Sequence, residues 1–263
     1  MDHLSDAIKL INDAEAVAIF AGSGMSVESG LAPFRGKDGL WTKSIVLDDK
    51  MYDYMDLMSH QAFIENPKEA WGFILSLKEK YENTSPHVGY NKLLEKLDSK
   101  DYFIVTSNID EHFLKVGFDE NRIFECHGTI NYMQCLDILE REIWTTPNFN
   151  KLDLESSNYP KCPNCGGFCR PNILLFGDWF WITTRSVHQQ IRYQNWCKEV
   201  KASNKEVVVI EIGAGKTINT IRKASENLAK DNQLIRVNPF DFEVNELNHI
   251  SIPMNARDFL KLI

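Results

Sequence analysis

Five short stretches of the chain are predominantly apolar: 16–20, 102–105, 172–176, 207–212 and 234–237. Runs of this kind, apolar on both faces, suit strands covered by helices on both sides. Amphipathic segments lie between them. Ser5 caps a helix through about Asp13, with Leu4, Ile8, Leu10 and Ile11 as its apolar positions. Asn66 before Pro67 opens a helix to about Lys80, and Ser85 before Pro86 opens another reaching Leu97. A third follows Gly215 and continues to about Lys230. This alternation predicts an α/β fold with a Rossmann-like, doubly wound parallel sheet.

Two stretches break the rhythm. Residues from about 37 to 85 hold helices and loops without a good strand, and about 131–170 holds cysteines and turn formers. Both read as insertions that make a smaller helical and zinc-ribbon-like lobe. The larger lobe then comprises about 1–36, 86–130 and 171–263, within one domain spanning 1–263. A cleft between lobes is a usual place for a ligand.

Composition removes several classes of function. The chain has 263 residues, 29 basic and 37 acidic, for a formal charge of −8. That balance argues against a nucleic-acid partner. Hydrophobic residues make up 43% and charged ones 25%, which is globular rather than disordered. No apolar run approaches the roughly 18–20 residues that span a bilayer. The opening MDHLSDAIKL has no apolar signal core, so the expected location is cytoplasmic, and the six cysteines read as thiols or metal ligands. Oligomeric state leaves no mark in the sequence.

The first apolar run leads into Ala21-Gly22-Ser23-Gly24-Met25-Ser26-Val27-Glu28-Ser29-Gly30. Glycines there let the backbone approach a diphosphate, although Val27 stands where a GxGxxG fingerprint has its third glycine. The continuation, Leu31-Ala32-Pro33-Phe34-Arg35-Gly36 and then Asp38-Gly39-Leu40-Trp41, resembles the nucleotide loop of the sirtuins, NAD-dependent protein deacylases with the pattern GAGxSxxSGIPxFRG. Further likenesses follow in family order. Thr106-Ser107-Asn108-Ile109-Asp110 resembles TQNID, with Ser107 for glutamine, and His127-Gly128 resembles the catalytic HG. Cys162-Pro163-Asn164-Cys165-Gly166-Gly167, Arg170-Pro171 and Phe176-Gly177-Asp178 resemble CPxCGG, RP and FGE. Gly213-Ala214-Gly215 takes the place of GTS, and Val237-Asn238-Pro239 that of the late IN segment.

The resemblance implies NAD as cofactor and an acyl-lysine protein or peptide as partner. It implies removal of the acyl group, most simply acetyl, with release of nicotinamide and O-acyl-ADP-ribose. It makes His127 the general base on a ribose hydroxyl, a task suited to imidazole. Asn108 would contact the ribose and catalytic water, and Asp110 the nicotinamide carboxamide. Ala21, Gly22, Ser23, Gly24, Ser26, Arg35 and Ser107 would line the cofactor, with Phe34 shielding the reactive carbon. Gly213, Gly215, Asn238 and Pro239 would lie on the adenosine side. Taken singly, Asn108 and Asp110 also read as helix caps, and His127 as a loop residue.

Sirtuins usually hold zinc with two CxxC pairs, and a closed site needs four ligands. Here Cys162 and Cys165 form one pair, but Cys135 is followed three residues later by Ile138. Cys135, Cys162 and Cys165 therefore lack a fourth partner. Zinc with an outside ligand such as Cys169 or an acid, a lobe held by packing of Trp144 and Tyr159, and a labile site all remain open; absence of tightly held zinc is the favoured reading.

Members that prefer acidic acyl groups carry Tyr-x-x-Arg in the helix matching 71–77, and neither residue stands there. Succinyl-lysine is therefore expected to be a poor substrate. The run Trp179-Phe180-Trp181 falls where the family binds the substrate backbone, and reads either as narrowing or capping that channel or as plain core. That run and Ser107 keep open an ADP-ribosyltransferase or NAD hydrolase on the same fold. A triphosphate-binding loop at Gly213-Ala214-Gly215-Lys216-Thr217 is disfavoured because Ile210 stands where its first glycine belongs. A non-enzymatic NAD sensor is the remaining class.

Overall fold

The computed structural model describes residues 3–33, 39, 45–47, 50–137, 141–147, 154, 159–244, 246 and 248–263. In chain order come α1 (His3–Asp13), β1 (Ala16–Ala21), the hairpin strands β2 (Ile45–Leu47) and β3 (Lys50–Tyr52), and the short helices α2 (Tyr54–Leu57) and α3 (Ala62–Glu65). They are followed by α4 (Pro67–Glu82), α5 (Val88–Leu97), β4 (Asp101–Thr106), α6 (His112–Lys115), β5 (Ile123–Glu125), β6 (Gly128–Cys135), β7 (Ile143–Thr145) and β8 (Cys169–Ile173). The chain closes with α7 (Thr184–Ala202), β9 (Val207–Ile212), α8 (Thr220–Ala229), β10 (Gln233–Val237), β11 (Ile250–Ile252) and α9 (Ala256–Leu260).

Contacts divide the chain into two compact units. The first joins Met1–Leu31, Ser85–Cys126 and Ser186–Ile263. Its six strands lie in the order β11-β10-β9-β1-β4-β5, every pair parallel. Alternate side chains of the strands enter opposite cores. Val17, Ile19, Ile104, Ile210 and Ile235 pack with α1, α5 and α9, whereas Ala18, Phe20, Phe103, Val209 and Leu234 pack with Trp196 of α7 and Ile221 of α8. Helices on both faces make this a doubly wound sheet and explain why β1 and β9 are buried at every position. The helix ahead of β4 begins at Val88, two residues later than the sequence suggests, because His87 Nδ1 accepts the Gly89 N–H and caps it.

The second unit joins Ala32–Thr84 and His127–Arg185. Among the described residues it contains the β2–β3 hairpin, the helices α2, α3 and α4, and an antiparallel sheet ordered β7-β6-β8. Two expectations change here. The apolar run at 172–176 is not a strand of the parallel sheet; the strand is Cys169–Ile173, paired antiparallel with β6, so residues 171–185 group with the second unit. A short strand buried throughout reads alike in either setting. Residues 37–85 also contain a hairpin, whose three-residue strands are too short to show a period. Within this unit, Tyr54 meets the rings of Phe73 and Phe176 at 5.4 and 6.1 Å, and Phe63 meets Trp71 at 5.6 Å.

Candidate functional site

At the carboxyl end of β1 the chain enters a 3-10 helix, Ser23–Ser29, which Gly30 closes in the left-handed region at φ 96°. The glycines before it are required by packing. A Cβ on Gly22 would stand 2.6 Å from the Gly213 carbonyl oxygen, and one on Gly24 2.7 Å from the Gly213 Cα. Gly213, at φ 64°, follows the neighbouring strand β9 and faces the Gly24 and Met25 backbones just as closely. The Gly22 and Gly24 N–H groups donate to the Ile212 and Gly213 carbonyls at 2.9 and 3.0 Å. Two adjacent strand ends thus turn over each other with no room for a side chain, leaving bare backbone at the sheet's carboxyl edge, where such folds bind ligands.

Beside this turn, β4 ends in a buried polar knot. Thr106 Oγ1 donates to the Ala21 carbonyl at 3.0 Å and accepts the Asn108 N–H at 3.0 Å, and the Ser107 N–H also reaches Ala21 at 3.2 Å. Ser26 Oγ donates to Asp110 Oδ2 at 2.6 Å and lies 2.8 Å from the Tyr90 hydroxyl. Asn108 Nδ2 reaches Ser26 Oγ at 3.4 Å, while Asn108 Oδ1 is buried without a partner. Asp110 Oδ1 accepts the His112 N–H at 3.0 Å, so this carboxylate also anchors the start of α6. Between them Glu111 takes φ 58°, a conformation costly for a side-chain-bearing residue. Asn108 and Asp110 line a small crevice with Thr106, His112 and Phe113.

The other carboxyl-end turns are fixed from below. The Ala214 carbonyl accepts Arg222 Nη2 at 3.0 Å and Asn238 Nδ2 at 3.1 Å. Asn238 Oδ1 in turn accepts the N–H groups of Phe240 and Asp241, both at 3.0 Å. Gly215 and Pro239 are exposed at these turns. Beneath them Glu211 is fully buried against Arg236, with contacts of 2.7 and 3.0 Å, and against the Ser225 hydroxyl. Glu211 raises the Arg236 pKa despite burial, whereas burial lowers that of Arg222. This cluster, and the clasp of His87 and Tyr90 on the glycine turn, escaped the sequence reading. Polar residues inside strands and an aromatic on an amphipathic helix look there like ordinary framework.

In the second unit His127 precedes β6, and its carbonyl accepts the Leu174 N–H at 2.9 Å. Burial lowers its pKa from 6.5 to about 4, so the imidazole is neutral at neutral pH. Gly128 follows at φ 73°, pressed on the Asn172 carbonyl, which leaves no space for a side chain. The segment after β8 is tied down on both sides. Arg170 and Asp178 form a fully buried pair at 2.6 Å, and Gln134 Nε2 donates to the Phe180 carbonyl at 2.8 Å. Trp179 stands 90% exposed, so it is not core. The Ile74 and Leu77 side chains of α4 are buried.

Cys135, Cys162 and Cys165 place their sulfurs within 4.8 Å of one another. The Asp137 and Gly167 N–H groups point at the Cys135 and Cys165 sulfurs, each at 3.3 Å. This arrangement fits three of the four corners of a zinc site. Cys169 is the register partner of Cys135 and lies buried outside the trio, its thiol raised to about 12 by burial and then by the neighbouring cysteines. Ile138, Phe34 and Arg35 lie outside the described residues, as does Trp41.

A family model described as the Sir2 family matches residues 22–205. The chain belongs to the Sir2 family. A relative, the NAD-dependent protein deacylase of Aquifex aeolicus, is 28% identical over 254 residues, covering 94% of this chain and 93% of that protein. The NAD-dependent protein deacylase 2 of Archaeoglobus fulgidus is 31% identical over 182 residues, covering 67% of this chain and 65% of its own length. Among solved Sir2 structures, a complex of a Sir2 homolog with NAD superposes with a TM-score of 0.71 at 23% identity, covering 98% of this chain and 91% of that one. Another, from a study of the mechanism and regulation of Sir2 enzymes, has a TM-score of 0.71 at 24% identity, covering 99% and 96%. These two likenesses concern the fold. No helix among the described residues is long and apolar enough to cross a membrane.

Proposed function

We propose that this chain is an NAD-dependent protein-lysine deacylase of the cytoplasm, converting acyl-lysine, NAD and water to lysine, nicotinamide and O-acyl-ADP-ribose. The observation that carries this reading is the near full-length match to a Sir2 relative named for that activity. The residues fit the cofactor. Gly22, Gly24 and Gly213 leave backbone bare at the carboxyl edge of the sheet, and Asn108 Oδ1 is a buried acceptor awaiting a donor.

NAD supplies an electrophilic ribose carbon with nicotinamide as a neutral leaving group. The glycine turn, with Ala21, Ser23 and Ser26, holds the diphosphate side together with Arg35, and Phe34 shields the reactive carbon. Gly213, Gly215, Asn238 and Pro239 hold the adenosine side. Asn108 accepts a hydrogen bond from a ribose hydroxyl, flanked by Ser107, and Asp110 receives the carboxamide. His127, neutral at working pH, takes the proton of the ribose hydroxyl that accepts the acyl group. Cys135, Cys162 and Cys165 would hold zinc in a framework role, with a fourth ligand from outside the trio.

The exposed Trp179, at the position where resemblance puts the substrate backbone, supports ADP-ribosyl transfer or NAD hydrolysis as the second reading. Mass spectrometry of NAD consumption with and without an acetyl-lysine peptide separates the two. Deacylation requires peptide and yields O-acetyl-ADP-ribose. Nicotinamide released equally without peptide overturns it in favour of hydrolysis, and a protein gaining ADP-ribose favours transfer.

A further inference from the structure

The knot around Ser26 has a direction. Asp110 as carboxylate can only accept, so the single Ser26 hydroxyl proton goes to Oδ2 at 2.6 Å. Ser26 Oγ therefore accepts from its two other neighbours, the Tyr90 hydroxyl at 2.8 Å and Asn108 Nδ2 at 3.4 Å. With its NH2 turned to Ser26, Asn108 must present its oxygen elsewhere, and that oxygen is the atom left buried without a partner. Tyr90 is wholly buried, and burial lifts its pKa well above the ordinary value, so it remains a donor. The same helical turn grips the glycine turn twice more. His87 Nδ1 accepts from Gly89, so Nε2 carries the proton and donates to the Met25 carbonyl at 2.9 Å, and the His87 N–H reaches Ser29 Oγ at 2.9 Å.

We infer that Tyr90 is a positioning residue for the cofactor: its one-way chain through Ser26 to Asp110 sets the Asn108 amide so that Oδ1 stands ready for a ligand hydroxyl. The hydroxyl's assignment to NAD rests on the function proposed above. The positioning itself is a property of the protein alone, and the two are separable by experiment.

Tyr90→Phe deletes the hydroxyl and keeps the ring contacts with His87, Phe113 and His112, at 4.9, 5.0 and 5.5 Å. Calorimetric NAD binding is expected to weaken about tenfold, the scale of one lost buried hydrogen bond. In a Ser26→Ala background the same change is expected to add less than about twofold, because Tyr90 acts through Ser26. Equal losses in both backgrounds, or none in the single variant, overturn the inference. Without NAD, the Asn108 side-chain amide signal in a nitrogen-15 spectrum, identified by its loss in Asn108→Asp, must shift in Tyr90→Phe; an unmoved signal also overturns it. If wild-type protein binds no NAD, the cofactor assignment falls while the amide signal still decides the positioning. Should Tyr90→Phe not fold, the Tyr90 hydroxyl proton of the wild-type protein must lose its protection from exchange in Ser26→Ala, and unchanged protection is the negative result.

Discussion

Gly24 and Gly213 meet backbone to backbone: a Cβ on Gly24 would lie 2.7 Å from the Gly213 Cα, and the Gly24 N–H donates to the Gly213 carbonyl at 3.0 Å. Both residues are glycine because two strand ends cross here. Backbone free of side chains comes with that crossing.

Gly24→Ala is accordingly expected to destabilise by about 1–3 kcal/mol through overpacking against backbone that cannot rotate away, and to lose NAD binding. Gly30→Ala is the control. Its φ of 96° is unfavourable for alanine, but nothing lies within 4 Å of the added carbon. It should cost only about 1–2 kcal/mol of backbone strain and largely retain binding. Thermal melts and calorimetry of the pair decide; a Gly24→Ala protein that binds as the wild type does refutes the packing account.

His127 has a folded pKa of about 4 against an ordinary 6.5. The unfolded chain therefore takes up the proton first as pH falls. Its contribution is complete above about 6.5 and is lost toward about 4, with a slope of up to about 1.4 kcal/mol per pH unit. Urea melts across that window should steepen for wild type relative to His127→Gln, and identical slopes would count against the buried neutral ring. His127→Ala should keep NAD binding and lose at least about 10²-fold in turnover.

Breaking the buried pair at Glu211 should be costly without touching a ligand. Glu211→Gln leaves Arg236 short of its main counter-charge, and the expected loss is about 3–5 kcal/mol in denaturant unfolding. A loss below 1 kcal/mol would mean that Glu226, which contacts Arg236 at 2.7 Å, compensates.

Zinc should bind with one-to-one stoichiometry and protect three thiols from a thiol reagent. Cys162→Ser should abolish that protection and Cys169→Ser should not, because Cys169 lies outside the trio. Chelator should strip the metal and lower the melting temperature, since a ligand of the native state stabilises by mass action. Four protected thiols would instead bring Cys169 into the site.

The stretch 71–77 of α4, where acid-preferring members are expected to carry Tyr-x-x-Arg, holds neither residue, and its Ile74 and Leu77 are buried. Acetyl-lysine peptide should therefore be turned over at least about tenfold better than succinyl-lysine peptide, as no guanidinium there pairs with the distal carboxylate. Equal rates in a competition assay would point to another cation.

Much of the parallel sheet was legible because its strands are buried on both faces. Ala16–Phe20 is an unbroken apolar run and Val207–Ile212 is apolar but for Glu211, and the glycines after each mark the turns. The edge strands β5 and β11 are three residues long, below the length at which any period shows. Helix α7 has 19 residues but exposes Val187 and Ile191 while burying Ser186 and Gln189, so its sequence lacks an apolar stripe. Of the candidate site, the residue types and their order were readable. The direction of the Ser26 hydroxyl and the fate of the Asn108 oxygen were not, because hydrogen-bond saturation depends on partners such as Tyr90 from distant sequence.

The first sheet strand to leave the ribosome, β1, lies in the middle of the finished sheet, between β4 and β9, and Ala16 pairs with Val207. During synthesis, β1 and β4 can join while the side of β1 destined for β9 stays uncovered until α7 and β9 emerge. Until then the nascent chain carries an uncovered, wholly apolar strand edge that other chains can pair with.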